Sequence, residues 1–293
     1  MEEEIRPLPK FDYFSPHSLH DLSTLLKQLK GGISFLAGGT DLLVNMKKRI
    51  TIPKVIIDIN RIQELSFIEK RSNNIHVGSV TRLNNLIESS IVQENVPLLT
   101  EAIRFLASHP IRNRATIGGN LCTASPAADA APPLLALNAS VKLKSPDDEK
   151  IVPLSEFFVG PRQTVRKHNE ILTEIIIPCE KGSNAFMKLG RRRGFSLSVV
   201  SVAAFGVIKG GKFEDIRIAL GGVAPTPIRA YKIEEMLKGV EVSDRSIEKA
   251  AEIAKSISKP SKRAKRASVE YREAMARVLT KRVLMKIAFE ERG

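Results

Sequence analysis

Phe35-Leu36-Ala37-Gly38-Gly39-Thr40-Asp41-Leu42 and, further along, Thr116-Ile117-Gly118-Gly119-Asn120 are the stretches whose reading decides the fold of this chain. Each follows or abuts an apolar run, and each places paired glycines where a backbone must turn sharply. Without a Cβ, such a turn lets amide N–H groups crowd a ligand with no side chain in the way. Gly-Gly alone is merely the plainest loop signal. Two such turns, each followed by hydroxyl- or amide-bearing residues, point to a divided cradle for an extended anionic ligand.

Outward from the first turn, residues 19–30 have helical spacing, with Leu22, Leu25, Leu26 and Leu29 on one face. Ser18, or Asp21 one turn on, can cap the start, and Gly31-Gly32 closes the end. Residues 33–37 read as a buried strand, 41–48 as a short helix and 55–59 as a second buried strand. This order makes a small α/β lobe over residues 1–59. A second lobe, 60–180, has a strand at 74–78, a helix capped by Thr81 and running to 89, and a helix at 96–107. After the second glycine turn come an alanine-rich helix at 127–137, interrupted by Pro132-Pro133, and strands at 141–144 and 170–177. Style changes after 178–183. Residues 199–209 and 213–220 flank Gly210-Gly211 as a β-hairpin, and the rest is helical at 228–237, 247–257 and 269–289. Met275, Val278, Leu279, Val283 and Ile287 share one face of the last helix. The expected class is α+β, with domains at 1–180 and 181–293.

At 293 residues, 43% apolar and 27% charged, the chain has the composition of a soluble globular protein with a substantial core. No window approaches the roughly 20 apolar residues that span a bilayer. The acidic start, Met1-Glu2-Glu3-Glu4, lacks the apolar run of a signal peptide, so a cytoplasmic protein is expected. Cys122 and Cys179 are too few for an iron–sulfur cluster, which usually takes four protein ligands, and His17, His20, His76, His109 and His168 show no metal-ligand spacing. Neither a G-x-G-x-x-G string nor a Walker loop occurs. No nucleophilic triad can be assembled, so any chemistry falls to a cofactor. The net charge of +14 invites a nucleic-acid reading, but aromatic content is 5% and tryptophan is absent, which leaves few stacking platforms. A partner-facing or solvated basic surface, including the cluster Lys262, Arg263 and Lys265, is expected instead.

The composite I-R-N-R-A-T-I-G-G-N-L-C-T-A-S-P-A-A-D-A-A-P from Ile111, taken with F-L-A-G-G-T-D-L, closely resembles the FAD-binding medium subunit of the molybdenum hydroxylases. That group contains xanthine dehydrogenase, aerobic carbon monoxide dehydrogenase and related aldehyde oxidoreductases. The strings I-A-L-G-G-V-A-P-T-P-I-R-A at 218–230 and A-S-V-E-Y-R ending at Arg272 extend the resemblance over almost the whole chain. It implies the two-lobed vanillyl-alcohol-oxidase (PCMH) type of FAD-binding fold, followed by a small antiparallel sheet with helices.

It also implies one non-covalent FAD, its pyrophosphate held by backbone amides of both glycine turns, at residues Phe35 to Leu42 and Thr116 to Asn120. No histidine adjoins either turn for covalent attachment. Thr40 and Asn120 would add side-chain hydrogen bonds, and Asp129 would face cofactor hydroxyls. Leu106 and Leu172 would supply apolar contacts, and Lys188 a cation near the isoalloxazine edge. Each has a plainer alternative: a helix cap, core packing or a surface lysine. The implied partners are a large molybdopterin subunit and a small subunit with 2Fe-2S clusters, assembled as a dimer of heterotrimers, with no nucleic acid and no membrane span. Some relatives bind a further cluster in a cysteine-bearing inserted loop, which this chain lacks. A stand-alone flavin oxidase or dehydrogenase of the same fold is the second reading.

Overall fold

The structure is a computed structural model that describes residues 7–192, 195–261 and 266–290. The first lobe is a parallel sheet of three short strands in the order β1-β3-β2, with β1 at Asp12–Phe14, β2 at Ile33–Leu36 and β3 at Val55–Asp58. β1 has only three residues, too few for a periodic signal. Helix α1 (Leu19–Gln28) starts where the Ser18 hydroxyl accepts the Asp21 N–H, and it buries Leu22 and Leu26 against Val55 and Ile57. Between β2 and β3, the first glycine turn leads into α2 (Leu42–Lys47).

The second lobe is built on an antiparallel sheet in the order β4-β5-β10-β6-β7. Its strands are β4 (Ile68–Arg71), β5 (Asn74–Gly78), β6 (Ser140–Lys144), β7 (Glu149–Pro153) and β10 (Ile171–Pro178). Alternation along β5 and β10 sends Ile75, Val77, Ile175 and Ile177 into the core. His76 and Glu174 go to the other face, where they meet at 2.5 Å beside Arg71 and Lys142.

Short helices cover the apolar face: α3 (Leu83–Glu88), α4 (Ser90–Asn95), α5 (Pro97–Arg104), α6 (His109–Arg112), α7 (Ile117–Thr123), α8 (Ala131–Ala136) and α9 (Leu154–Phe157). Thr81 is not the cap of α3 that the sequence suggested. Arg82 holds the cap position, and the Thr81 hydroxyl donates to the Phe67 carbonyl. A separate two-stranded hairpin, β8 (Phe158–Gly160) and β9 (Gln163–Thr164), projects beyond α9.

The C-terminal unit is an antiparallel sheet of β11 (Ser183–Gly190), β12 (Ser198–Lys209), β13 (Lys212–Gly221) and β14 (Ile228–Arg229). Both faces of β12 are buried. Val202 and Ala204 pack towards the C-terminal helices, and Ala203 and Phe205 towards the second lobe. That double burial explains the near-continuous apolar run that replaces alternation in this strand. The β12–β13 turn places Gly210 and Gly211 at φ +55° and +74°, the left-handed pair of a tight hairpin.

The expected helix over 228–237 begins later than read. Ile228–Arg229 first pairs with β13, and only then does α10 (Tyr231–Leu237) start. The guanidinium of Arg229 holds this entry by reaching Leu135 O, the Asn138 side chain and Glu234. Helix α11 (Asp244–Ile257) opens on a Ser243–Ser246 capping box, and α12 (Val269–Glu290) lays Leu279, Val283 and Ile287 into the sheet. The observed architecture is thus the expected two-lobed α+β unit followed by an antiparallel sheet with helices. Among the described residues no helix is long and apolar enough to cross a membrane.

Candidate functional site

The two glycine turns lie against each other at the junction of the lobes. A Cβ on Gly38 would collide with the Arg114 carbonyl and lie 2.8 Å from Ala115 Cα, immediately before the second turn. The contact is fastened by a relay of side chains. The Tyr13 hydroxyl donates to Asp58 Oδ2 at 2.7 Å, and Asp58 Oδ1 accepts the Asn60 backbone N–H at 2.9 Å and Asn60 Nδ2 at 2.6 Å. Asn60 Nδ2 also donates to the Ala37 carbonyl at 2.8 Å, while Asn60 Oδ1 accepts from Arg82 Nη2 at 2.7 Å. Arg82 Nη1 in turn donates to the Arg114 carbonyl at 2.5 Å. Burial works against ionisation of Asp58, but the Asn60 N–H groups and the Tyr13 hydroxyl outweigh it and hold the carboxyl below its usual range. Burial, with Arg114 nearby, pushes the Arg82 guanidinium down.

The two turns do different work. In the second, the four amides from Ile117 to Asn120 are already engaged. Ile117 N–H donates to Thr81 O, Gly118 N–H to Ser79 O, Gly119 N–H to the Thr116 hydroxyl and Asn120 N–H to Thr116 O. In the first, the amides of Gly38, Gly39, Thr40 and Asp41 donate to no protein acceptor among the described residues. The whole segment from Phe35 to Leu42 is half-buried, which is the posture of a lined concavity. Gly39 takes φ +71°, a conformation L side chains rarely adopt, so its glycine is a backbone requirement.

Gly118 is required for packing instead: a Cβ there would stand 2.7 Å from both Cβ and O of Ser79. A Cβ on Gly119 would meet only the Thr116 hydroxyl, so Gly119 is the glycine of this turn whose bare Cα faces open space. Asn120 adds a buried Oδ1 with no hydrogen-bond partner. At this junction the free amides can donate to a dinucleotide diphosphate, the bare Cα of Gly119 leaves room for it, and the orphaned Asn120 oxygen can accept from a flanking hydroxyl.

The remaining expected contacts divide. Phe35 lies under the Arg166 guanidinium, 5.5 Å from its centroid, and Leu36 and Ala37 present carbonyls to Asn60. Arg166 also lies beside Cys122, whose thiol burial pushes up. Ile117 and Leu106 are core residues, 1% and 8% exposed. Leu172 is buried opposite Leu143 in the sheet. Its neighbour Thr173 borders the site by accepting the Ser79 N–H.

Asp129 and Lys188 meet each other. Lys188 Nζ sits 2.6 Å from Asp129 Oδ2, with side chains 6% and 4% exposed, and it also donates to Phe105 O. The Ser198 hydroxyl donates to the other Asp129 oxygen. Burial pushes the Asp129 carboxyl up, against the pull of Lys188, Ser198 and Arg266. Each therefore has a protein partner of opposite charge in the folded chain. Asn60, Ser79, Arg82 and Ser198 complete the site, and none carried a local sequence signal. Among the described residues no group of His, Cys, Asp and Glu could hold a metal ion.

The class this junction defines is a dinucleotide-binding flavoprotein. Residues 9–180 match the model of the FAD binding domain in molybdopterin dehydrogenase, and 185–287 that of the CO dehydrogenase flavoprotein C-terminal domain. The chain is 34% identical over 283 residues to the glyceraldehyde dehydrogenase medium chain of Sulfolobus acidocaldarius, covering 96% of this chain and 99% of that one. The solved carbon monoxide dehydrogenase from Hydrogenophaga pseudoflava matches with TM-score 0.93 and 36% identity, over 96% of this chain and 98% of that one. Quinoline 2-oxidoreductase from Pseudomonas putida 86 matches with TM-score 0.92 and 27% identity, over 97% and 99%. The chain belongs to the FAD-binding medium subunits of the molybdenum hydroxylases.

Proposed function

We propose that this chain is the electron-exit subunit of a molybdenum hydroxylase, and that residues 1–180 hold its FAD while 181–293 form the second domain. The carrying observation is the half-buried first glycine turn with its unengaged amides, in a chain that matches medium subunits end to end. The first turn supplies N–H donors to the diphosphate from Gly38 to Asp41, with Thr40 adding a hydroxyl. The second turn contributes the open Cα face of Gly119 and the Asn120 side chain. Asn60 and Arg82 hold the turns in register. FAD, when bound, can take electrons singly and pass them on in pairs.

In this reading the partners are a large molybdopterin subunit and a small 2Fe-2S subunit, in a dimer of heterotrimers in the cytoplasm. End-to-end likeness to subunits favours it over a stand-alone flavin oxidase. Two measurements test it. Acid precipitation of the purified chain should release free FAD, one per chain; flavin retained on the peptide contradicts the non-covalent cradle. Native mass spectrometry with metal analysis should find molybdenum and iron in the complex but not in this chain. A flavin-loaded chain that turns over its own substrate without partners would instead support the stand-alone enzyme.

A further inference from the structure

Arg162 is absorbed by neither the family resemblance nor the cradle described above. It forms the tip of the β8–β9 hairpin and takes φ +60°, a left-handed conformation that is costly for a side chain other than glycine. Its backbone N–H donates to Ala124 O at 2.9 Å, and Ala124, also left-handed at φ +46°, ends the helix that opens on the second glycine turn. Its guanidinium reaches the other way, with Nη1 3.1 Å from Asp41 Oδ2 in the first turn. One residue thus holds α7 by its backbone and the Gly38–Asp41 segment by its side chain.

Electrostatics explain why a cation is needed there. Asp41 directly follows the amides of Gly38, Gly39 and Thr40, and its carboxylate would repel a diphosphate bound to them. Asn45 Nδ2 donates to the same Oδ2 at 2.8 Å, which orients the carboxylate but leaves its charge. Arg162 brings the opposite charge.

We propose that Arg162 is a positioning residue for the FAD diphosphate, cancelling the charge of Asp41 while clipping the two glycine turns together. This rests on the FAD reading of the junction. The side chains are 55% and 41% exposed, so screening by water and salt keeps the effect modest.

The test is FAD binding to the apo form of the full chain, followed by flavin fluorescence at low and high salt, with unfolding midpoints as the control for folding. Arg162→Ala should weaken FAD binding about fivefold at low salt, with a smaller deficit at high salt. Arg162→Lys should keep most of the affinity, and Asp41→Asn, which retains the backbone N–H, supplies the fourth corner of the cycle. Adding Asp41→Asn to Arg162→Ala should restore affinity to within about twofold, which a purely mechanical clip would not do. Unchanged affinity in Arg162→Ala, or no rescue in the double variant relative to Asp41→Asn, overturns the proposal. A wild-type chain that takes up no FAD refutes the parent reading instead, and the two failures are distinct.

Discussion

Gly118 and Gly119 are neighbours in sequence with opposite duties, and alanine at each should separate them. At Gly118 the added methyl would lie 2.7 Å from the Cβ and carbonyl oxygen of Ser79, and 3.0 Å from its Cα. Those atoms belong to backbone that cannot swing aside, so α7 must lift from residue 79. Overpacking of this kind costs about 1–3 kcal/mol. The Gly118 N–H to Ser79 O bond, 2.9 Å long, would be strained or lost for about 1 kcal/mol more. Gly118→Ala should therefore destabilise the apo chain by about 2–4 kcal/mol.

At Gly119 the methyl meets only the Thr116 hydroxyl at 2.8 Å. Rotating that hydroxyl away removes an N-cap bond for about 1 kcal/mol, and the gain in helix propensity over glycine returns a similar amount. Gly119→Ala should leave apo stability within about 0.5 kcal/mol of wild type, yet, on the proposed FAD reading, weaken FAD by about tenfold or more by filling space left open beside the second turn. Urea unfolding of the apo chains and fluorescence titration with FAD measure the two effects independently. Equal apo stabilities for the two variants, or a Gly119→Ala chain with wild-type FAD affinity, would refute the division of labour.

Lys188→Met should strand the Asp129 carboxylate without its ion pair and cost about 3–5 kcal/mol, most of it recovered by adding Asp129→Asn; urea midpoints of the three chains decide it, and a tolerated single variant would contradict the pairing. Glu170 accepts from Lys150 Nζ and the Lys167 N–H, and these contacts outweigh burial to hold its carboxyl below the ordinary Glu value of 4.5. Its contribution is therefore present above that value and lost as pH falls through the lower folded one, so Glu170→Gln should flatten the acid limb of a stability–pH curve. Reconstitution with the partner subunits should slow as salt rises, because a basic surface sets encounter rate. The basic cluster expected from the sequence, Lys262, Arg263 and Lys265, lies outside the described residues.

Much of the fold was legible because its signals are local. The leucine spacing of α1, the β-branched run of β3 and the two-glycine hairpin of β12 and β13 each follow from backbone preference and burial of one face. Where the reading slipped, a distant contact overrode the local one. The helix expected from residue 228 yields two residues to β13 because Arg229 is held by Leu135 and Asn138, far back in the chain. Thr81 looks like a cap, but Phe67 offers its hydroxyl an acceptor first.

The sequence by itself determined the class: two glycine turns in order, a third unit of hairpin and helices, and too few cysteines for an iron–sulfur cluster of its own. Glycine reveals itself locally, because a missing Cβ is a property of one position. What each glycine is for was decided only by tertiary structure. Gly38 and Gly118 serve chain crossings, Gly39 serves a left-handed backbone, and Gly119 alone in its turn opens outward. The charges obey the same rule. Asp129 and Lys188 stand 59 positions apart, and Asp41 and Arg162 stand 121 apart. A carboxylate read alone looks like a ligand for hydroxyls. Folding brings a cation to it, because a buried carboxylate without one is too costly to keep.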